Sequence, residues 1–280
     1  MNNNQTKIYL KPKKSFSQNF LWDKNIAQKI VDTLQIEDSD RVIEIGPGKG
    51  ILTQFLLEKA VNLTAIELDI NAAQLIEELF PKEKYPNFKL VQQDFRKFDF
   101  AEFESGSAFP DSKVKVIGNI PYSITGDIFF HLFRSSQFIE RAVIMIQKEV
   151  AQRISAKPRT KDYGILTVIT NLLGKGKILF DVPPSCFHPK PKVTSSVIEL
   201  SFHNEPPENF ESLLVLIKAA FGQRRKKLSN ALKQFIEMKC KASYEECAKR
   251  VQQLDKNYFE IRAEELTVED FIKLHEAIIR

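Results

Sequence analysis

Short apolar runs alternate with amphipathic segments along the N-terminal two thirds of the chain. The apolar runs are too short for buried helices and predict β-strands at 41–46, 62–68, 88–94, 114–119 and 141–147. Apolar positions recur at helical spacing in the segments at 51–60, 71–79, 124–133 and 148–154, and in a further segment that begins after Asp23, its predicted cap. This alternation predicts a mainly parallel sheet covered on both faces.

The pattern changes in the last third of the chain. Two β-rich segments, 177–182 and 195–202, flank a proline-rich loop and are predicted to pair as an antiparallel edge because no helix separates them. Residues 164–173 are apolar and fit either a helix or a strand. After a linker at 203–209 only helical patterns follow. The sequence therefore predicts an α/β domain over 1–203 and a small all-helical domain over 204–280.

Composition and charge narrow the class of protein. The chain has 280 residues, 43% of them hydrophobic and 28% charged, which excludes disordered and fibrous classes. No apolar run approaches the roughly 18 residues of a membrane span, and the polar N-terminus does not resemble a signal peptide, so we expect a cytoplasmic protein. The three cysteines match no zinc-binding pattern, and no metal is expected. The net charge of +5 mildly favours an anionic partner.

Three of the ten glycines, Gly46, Gly48 and Gly50, lie within five positions between a predicted strand and a predicted helix. Backbone amides at such a turn can approach a ligand closely. Glu67 ends the second predicted strand and can accept hydrogen bonds from ribose hydroxyls, while Asp94 ends the third and can accept from an adenine amine. The GxGxG spacing is not the dinucleotide GxGxxG pattern. We interpret the group as a nucleoside site; the alternative is a tight turn flanked by helix-capping acids.

The fourth predicted strand ends in Asn119, Ile120, Pro121 and Tyr122. An exocyclic adenine amine is a poor nucleophile because its lone pair is delocalised into the ring. An asparagine carbonyl and a prolyl-peptide carbonyl that accept its two N–H groups would direct that lone pair at an electrophilic methyl group. Tyr122 could stack on the base, an interaction worth about 1–3 kcal/mol. The alternative is an ordinary proline turn.

These motifs resemble the small-subunit ribosomal RNA adenine dimethyltransferases over nearly the whole chain. The stretches that carry the resemblance are FSQNFL (16–21), EIGPGKG (44–50), IELD (66–69), NIPY (119–122), QKEVAQRI (147–154), VPPSCFHPKPKVTSSV (182–197) and FGQRRKKL (221–228). The chain departs from the family's usual residues at Ser17, Ile120, His188 and Lys190.

The resemblance implies a seven-stranded Rossmann-like methyltransferase sheet and S-adenosylmethionine as the methyl donor. It implies dimethylation of two adjacent adenosines in the 3′-terminal hairpin loop of 16S rRNA within an immature small subunit. We expect a monomer with no membrane partner. By position, the cofactor site would be lined by Asn19, Leu21, Gly46, Gly48, Glu67, Asp94 and Asn119. The target base would be held by Asn119, Pro121, Tyr122 and Phe187, although Phe187 could equally be a hydrophobic anchor of its loop.

The densest run of charge is formed by Arg224, Arg225, Lys226 and Lys227 in the predicted helical domain. Together with the nearby Lys233, Lys239 and Lys241, it predicts a surface that faces RNA phosphates rather than a solvated helix end. A basic N-terminal segment with Lys7, Lys11, Lys13 and Lys14 could lie near the same RNA strand, although, taken alone, a solvated tail explains its charge better.

Four alternative functions remain open from the sequence. A large-subunit rRNA adenine methyltransferase of the antibiotic-resistance type would share the glycine turn and NIPY. A DNA adenine methyltransferase would need a target-recognition domain that the chain does not suggest. A non-catalytic RNA-binding assembly factor would not need the acids and NIPY intact. A nicotinamide dehydrogenase would need different glycine spacing.

Overall fold

The computed structural model describes residues 19–59, 62–105, 113–203, 205–239 and 243–279. Some residues singled out in the sequence lie outside this described part of the chain: Lys7, Lys11, Lys13, Lys14, Ser17 and Lys241.

The described residues form strands and helices at the positions where the sequence pattern places most of them. The strands are β1 (Phe20–Leu21), β2 (Arg41–Ile45), β3 (Asn62–Glu67), β4 (Phe88–Gln92), β5 (Val114–Asn119), β6 (Ile139–Gln147), β7 (Gly174–Val182), β8 (Phe187–His188) and β9 (Ser195–Phe202). The helices are α1 (Lys24–Thr33), α2 (Ile51–Glu58), α3 (Ile70–Leu79), α4 (Phe100–Ser105), α5 (Thr125–Arg134), α6 (Lys148–Ile154), α7 (Ile165–Leu173), α8 (Phe210–Gly222), α9 (Leu228–Ala231), α10 (Lys233–Lys239), α11 (Tyr244–Gln252) and α12 (Val268–Ile279).

Seven strands form one sheet in the order β4–β3–β2–β5–β6–β9–β7. The pairs β4–β3, β3–β2, β2–β5 and β5–β6 are parallel, whereas β9 runs antiparallel to β6. β9 and β7 are neighbours at one end of the sheet, as predicted. The predicted fold class, a seven-stranded α/β sheet with a helical C-terminal region, is confirmed.

The central strands are buried over nearly their whole length. All five residues of β2 are buried, as are the first five of β5, which explains why both read as continuous apolar runs rather than alternating ones. The chain leaves β2 toward β3 and β4 and then crosses back to β5 on the other side of β2. The strand order thus reverses between β2 and β5, and a crevice forms at the carboxyl ends of strands at such a reversal.

Two aspartate side chains cap the N-termini of helices α1 and α3. The side chain of Asp23 accepts a hydrogen bond from the Ile26 N–H at 3.1 Å, which confirms the predicted cap of α1. Asp69 accepts from the Asn71 N–H at 3.0 Å and begins α3. Capping of this kind satisfies backbone donors that have no partner inside the helix.

The structure divides into two compact units. One comprises the described residues up to Ala151 together with Gly176–His203, and the other comprises Gln152–Lys175 together with the described residues that follow Asn204. The apolar segment 164–173, whose pattern fits either a helix or a strand, forms the helix α7. This helix belongs to the same unit as the C-terminal helices rather than to the unit with the sheet. The second unit therefore draws on residues that the sequence pattern had placed in the domain 1–203.

Two capping boxes order helices in the second unit. Ser243 and Glu246 exchange side chain–backbone hydrogen bonds of 3.2 Å at the start of α11. Thr267 and Asp270 do the same at 3.0 and 3.3 Å before α12. Both pairs have the spacing seen in the sequence. Within the described residues, no helix combines the length and apolarity that crossing a membrane requires.

Candidate active site

A cleft lies at the carboxyl ends of β2, β3 and β5, beneath the short strand β1. It is lined by most of the residues predicted for the cofactor and the target base: Asn19, Leu21, Gly46, Gly48, Glu67, Asn119, Pro121 and Tyr122. A second, more apolar hollow shares Gly46, Glu67 and Pro121 with the cleft and contains Asp94. The two hollows are therefore neighbours, and their residues all belong to the unit that contains the sheet.

The glycine turn after β2 has a left-handed backbone that only glycine adopts freely. The φ angles of Gly46, Gly48 and Gly50 are +62°, +57° and +76°. A Cβ on Gly50 would lie 2.6 Å from the Phe80 ring, so the turn is also packed too closely for a side chain there. A Cβ on Gly46 would have no heavy atom within 4 Å. Backbone at Gly46 is therefore open to a ligand.

Glu67 ties this turn to the adjacent one. Its side chain is buried, and its two oxygens accept hydrogen bonds from the backbone N–H groups of Gly48 at 3.2 Å and Asp69 at 2.8 Å. Burial raises the pKa of the Glu67 carboxyl, while the two backbone N–H donors oppose that rise. Each carboxylate oxygen retains a lone pair, so Glu67 can still accept hydrogen bonds from vicinal hydroxyls.

A second buried acid, Glu44, was not assigned a role from the sequence. It lies in β2, is 1% exposed and lines the cleft, and it accepts a hydrogen bond of 2.7 Å from the Thr53 hydroxyl. Burial raises the pKa of the Glu44 carboxyl to about 8. The sequence offered one signal: a glutamate inside an otherwise apolar strand. In a two-sided buried strand, such a residue faces either a partner or a ligand.

The residues that line the apolar hollow suit a purine ring. Its walls include Ile66, Leu68, Phe95, Ile124 and Ile128, and Asp94 supplies a carboxylate at its edge.

The Asp94 carboxylate already has a cationic partner. Its two oxygens accept hydrogen bonds from the Arg96 guanidinium at 2.6–3.0 Å, and Arg96 also reaches Asp127 at 3.2 Å. The Arg96 guanidinium holds the pKa of the Asp94 carboxyl below its ordinary value. An adenine amine at Asp94 would therefore share these oxygens with Arg96 or displace it.

Asn119 ends β5 with its side-chain amide already oriented. Its Nδ2 donates a hydrogen bond of 3.1 Å to the backbone carbonyl of Asn19, which precedes β1. An amide whose nitrogen is committed in this way presents its carbonyl oxygen as an acceptor. The contact joins the carboxyl end of the central sheet to the N-terminal strand that covers the cleft.

The prolyl turn offers a different carbonyl from the one that the sequence suggested. The Pro121 carbonyl is used within the turn, where it accepts from the Ile124 N–H at 3.2 Å and from the Thr125 hydroxyl at 3.4 Å. The Ile120 carbonyl begins the same prolyl peptide, and no described residue donates a hydrogen bond to it. The Ile120–Pro121 peptide thus has a free acceptor at Ile120.

Tyr122 is partly buried beside this turn, and its hydroxyl oxygen lies 2.7 Å from Oγ of Ser195. Burial raises the pKa of the Tyr122 phenol. The sequence indicated no separate role for Ser195, which lies inside the motif at 182–197. A contact between residues 73 positions apart has no local sequence signal.

Phe187 does not line the cleft. It is 2% exposed and packs in the hydrophobic core with Val182, Cys186 and Val197. It also pairs with Leu21 across the two-stranded β1–β8 ladder. The structure thus places Phe187 where it anchors the proline-rich loop to the strand over the cleft, and its contact with a base stays a prediction. Of the departures from the family, Ile120 is buried, whereas His188 and Lys190 are exposed.

The four basic side chains at 224–227, in the second unit, differ in whether they have partners within the protein. Arg224 donates to the Glu264 carboxylate at 2.7 Å and to the backbone carbonyls of Lys161 and Thr160. Lys227 forms an ion pair with Glu260. Arg225 and Lys226 are exposed, and no ion pair with a described residue engages either one.

The predicted phosphate-facing role therefore suits Arg225 and Lys226 best, because the Arg224 guanidinium is used inside the unit. Elsewhere, the described residues contain no group of three or more His, Cys, Asp or Glu side chains that could hold a metal ion.

Comparisons with known proteins show the family of this chain. The family model described as ribosomal RNA adenine dimethylase matches residues 9–273. A ribosomal RNA small subunit methyltransferase A from Mycoplasma mobile is 41% identical over 263 residues, covering 91% of this chain and 98% of that protein.

Two solved structures resemble the chain closely. A dimethyladenosine transferase from Plasmodium falciparum superposes with a TM-score of 0.76 at 27% identity, covering 91% of this chain and 95% of that one. The 23S rRNA methyltransferase ErmE superposes with a TM-score of 0.62 at 25% identity, covering 94% and 100%.

The chain belongs to the ribosomal RNA adenine dimethylase family. It is an S-adenosylmethionine-dependent rRNA adenine dimethyltransferase. The site fits that donor on its own chemistry. An apolar hollow adjoins a buried carboxylate suited to ribose hydroxyls, and the backbone at Gly46 is open to a ligand in the cleft that Asn119 also lines.

We expect Glu44 to make the stability of the protein depend on pH. Its folded-state pKa of about 8 lies above the ordinary value of 4.5, so its ionisation costs the folded state free energy as pH rises between these values. We expect the free energy of unfolding of the wild type to fall, relative to Glu44→Gln, by up to about 1.4 kcal/mol per pH unit in that interval. Urea unfolding at several pH values measures this. The exposed Glu78→Gln variant is the control, and parallel pH profiles of wild type and Glu44→Gln would contradict the assignment.

Proposed function

We propose that this chain dimethylates N6 of two adjacent adenosines in the 3′-terminal hairpin loop of 16S rRNA. Its substrate is an immature small ribosomal subunit in the cytoplasm, and it acts as a monomer. The observation that carries the proposal is the Asn119 amide: its nitrogen donates to the Asn19 carbonyl, which leaves its oxygen available as an acceptor at the cleft that Asn119 lines.

The small-subunit target rests on the similarity to relatives with that name. The Mycoplasma mobile protein and one from Alkaliphilus metalliredigens, each 41% identical, are both ribosomal RNA small subunit methyltransferases A. ErmE, a 23S rRNA methyltransferase, has the same fold at lower identity and keeps a large-subunit target as the second candidate.

The donor would lie along the cleft from Asp94 to Asn119. Its adenine would fill the apolar hollow, its ribose hydroxyls would donate to Glu67, and its amino acid end would follow the glycine turn. When bound, S-adenosylmethionine supplies an electrophilic methyl group on a sulfonium centre. Glu44 and Glu67 are both buried in this cleft. Burial raises the pKa of each carboxyl, that of Glu44 to about 8, and a cationic ligand beside them would favour their ionised forms.

The target adenine would leave its stack and enter beside Tyr122. We assign its two N6 hydrogens to the side-chain carbonyl of Asn119 and to the backbone carbonyl of Ile120, in place of the Pro121 carbonyl. Accepting both hydrogens withdraws the nitrogen lone pair from the ring and directs it at the methyl group. The N–CH₃ bond forms as the S–CH₃ bond breaks, and the alkylated nitrogen then loses a proton to water. These carbonyl dipoles also stabilise the positive charge that develops on nitrogen.

Labelled donor incubated with free 16S rRNA, immature small subunits or intact large subunits tests the target. We expect label in two adjacent adenosines near the 3′ end of 16S rRNA. Label confined to large-subunit rRNA would replace the proposal with the ErmE-like activity. An absence of label on every substrate, with an intact fold, would leave a non-catalytic assembly factor.

The Glu67→Ala variant should bind donor more weakly while keeping its fold. The lost acceptor for ribose hydroxyls, together with the released Gly48 N–H, should cost on the order of 1–3 kcal/mol of binding free energy. Calorimetric titration with S-adenosylhomocysteine measures the change. Unchanged affinity in a folded variant would remove Glu67 from the donor site.

The product should be N6,N6-dimethyladenosine. After one transfer the amine keeps a single N–H, so only one of the two carbonyl acceptors is still used and stacking on Tyr122 must hold the base. We expect Tyr122→Ala to slow the second transfer at least as much as the first, and Asn119→Ala to slow both. Nucleoside mass spectrometry of single-turnover digests separates the two products. Monomethyladenosine alone, after long incubation with excess donor, would contradict the dimethyl assignment.

The basic run should contribute to RNA binding through Arg225 and Lys226. Replacing both with Ala should reduce the slope of log affinity against log salt by roughly 0.7–0.9 for each lost phosphate contact. Arg224→Ala is the matched control: it should lower the thermal stability of the helical unit, because it removes three hydrogen bonds, while changing the salt slope less. Filter binding across a salt series distinguishes them. An unchanged slope in the double variant would leave these side chains solvent-facing only.

A further inference from the structure

Tyr122 is restrained at both ends of its side chain. Its backbone lies in a short helical turn directly after Pro121, and its hydroxyl oxygen lies 2.7 Å from Oγ of Ser195. A tyrosine side chain has two rotatable torsions, so a fixed backbone and a fixed hydroxyl together restrict the plane of the ring.

The sheet, rather than a loop, holds the other partner of this hydrogen bond. Ser195 is the first residue of β9 and is fully buried. It pairs with Gln147 at the end of β6, and β9 lies between β6 and β7 inside the sheet. The position of the Ser195 hydroxyl is therefore set by a rigid element, which is the arrangement that best preorganises a binding group.

This hydrogen bond should affect the two methyl transfers unequally. In the first transfer, two carbonyl acceptors and the aromatic ring all orient the base. In the second, one N–H has been replaced by a methyl group, so the plane of the ring carries more of the orientation. Rotation of the Tyr122 ring would therefore slow the second transfer more than the first.

We propose that Ser195 is a positioning residue that sets the ring plane of Tyr122 for the target adenine and so promotes conversion of monomethyladenosine to dimethyladenosine. The proposal rests on the proposed function, in which Tyr122 stacks on the target base. Ser195 acts only through Tyr122 and touches neither the donor nor the reacting nitrogen.

Two variants remove the same hydrogen bond from opposite ends. Ser195→Ala and Tyr122→Phe each keep the aromatic ring, and each should slow the second transfer by about two- to tenfold in single-turnover experiments, the range expected for one neutral hydrogen bond. The first transfer should slow less, and monomethyladenosine should accumulate. The double variant should be no slower than either single one, because both changes remove one interaction.

Ser196→Ala is the matched control. Ser196 is equally buried in the same strand and donates a hydrogen bond of 2.6 Å to Asp181, away from the cleft. Its loss should leave the ratio of monomethyl to dimethyl product at the wild-type value. Affinity for S-adenosylhomocysteine should be unchanged in all these variants, and thermal unfolding identifies any that is not folded under the assay conditions.

The possible results separate this inference from the proposed function. If the wild type forms no dimethyladenosine in 16S rRNA, the proposed function fails. If the wild type forms it and Tyr122→Ala also methylates normally, the stacking role of Tyr122 fails and the positioning role of Ser195 with it. If Tyr122→Ala is impaired while Ser195→Ala and Tyr122→Phe convert monomethyladenosine at the wild-type rate, the positioning role alone is overturned. Equal slowing in Ser195→Ala and Ser196→Ala, or additive slowing in the double variant, would also overturn it.

Discussion

The buried carboxylate of Glu67 holds together the two turns on which the site is built. One oxygen accepts the Gly48 N–H from the glycine turn, and the other accepts the Asp69 N–H from the turn into α3. A carboxylate buried without such donors would carry a large desolvation cost. The same group is therefore stabilised by the turns that it orders, and its remaining lone pairs are directed at the cleft.

The sheet topology explains why the chemistry collects at one edge. Because β2, β3 and β5 are parallel, the residues that end them lie side by side, and the reversal of strand order opens the crevice between β2 and β5. β1 covers this crevice, where Asn119 is bonded to Asn19. Asn119, the glycine turn and Tyr122 all line this cleft, so a donor and a base can meet at the asparagine.

The sequence predicted most of the sheet and the lining of the cleft, because strand runs, a glycine trio and acids at strand ends are local signals. It could not resolve the apolar segment that became α7, since apolar helices and buried strands look alike over nine residues. Local sequence patterns also do not indicate contacts between residues that are far apart in the chain. The Ser195 hydrogen bond, the ion pairing of Arg224 and the burial of Phe187 follow from tertiary packing and change the roles that those residues can have.

In the proposed reaction, the donor and the target adenine meet across Asn119. A crystal structure with a bisubstrate analogue, in which the donor's adenosine is joined through a short linker to N6 of a second adenosine, tests this directly. We expect N6 of the second adenosine within about 3.2 Å of the Asn119 side-chain oxygen or the Ile120 carbonyl, its base on the Tyr122 ring, and the donor ribose at Glu67. A donor ribose away from Glu67, or a target base that contacts neither carbonyl, would contradict it.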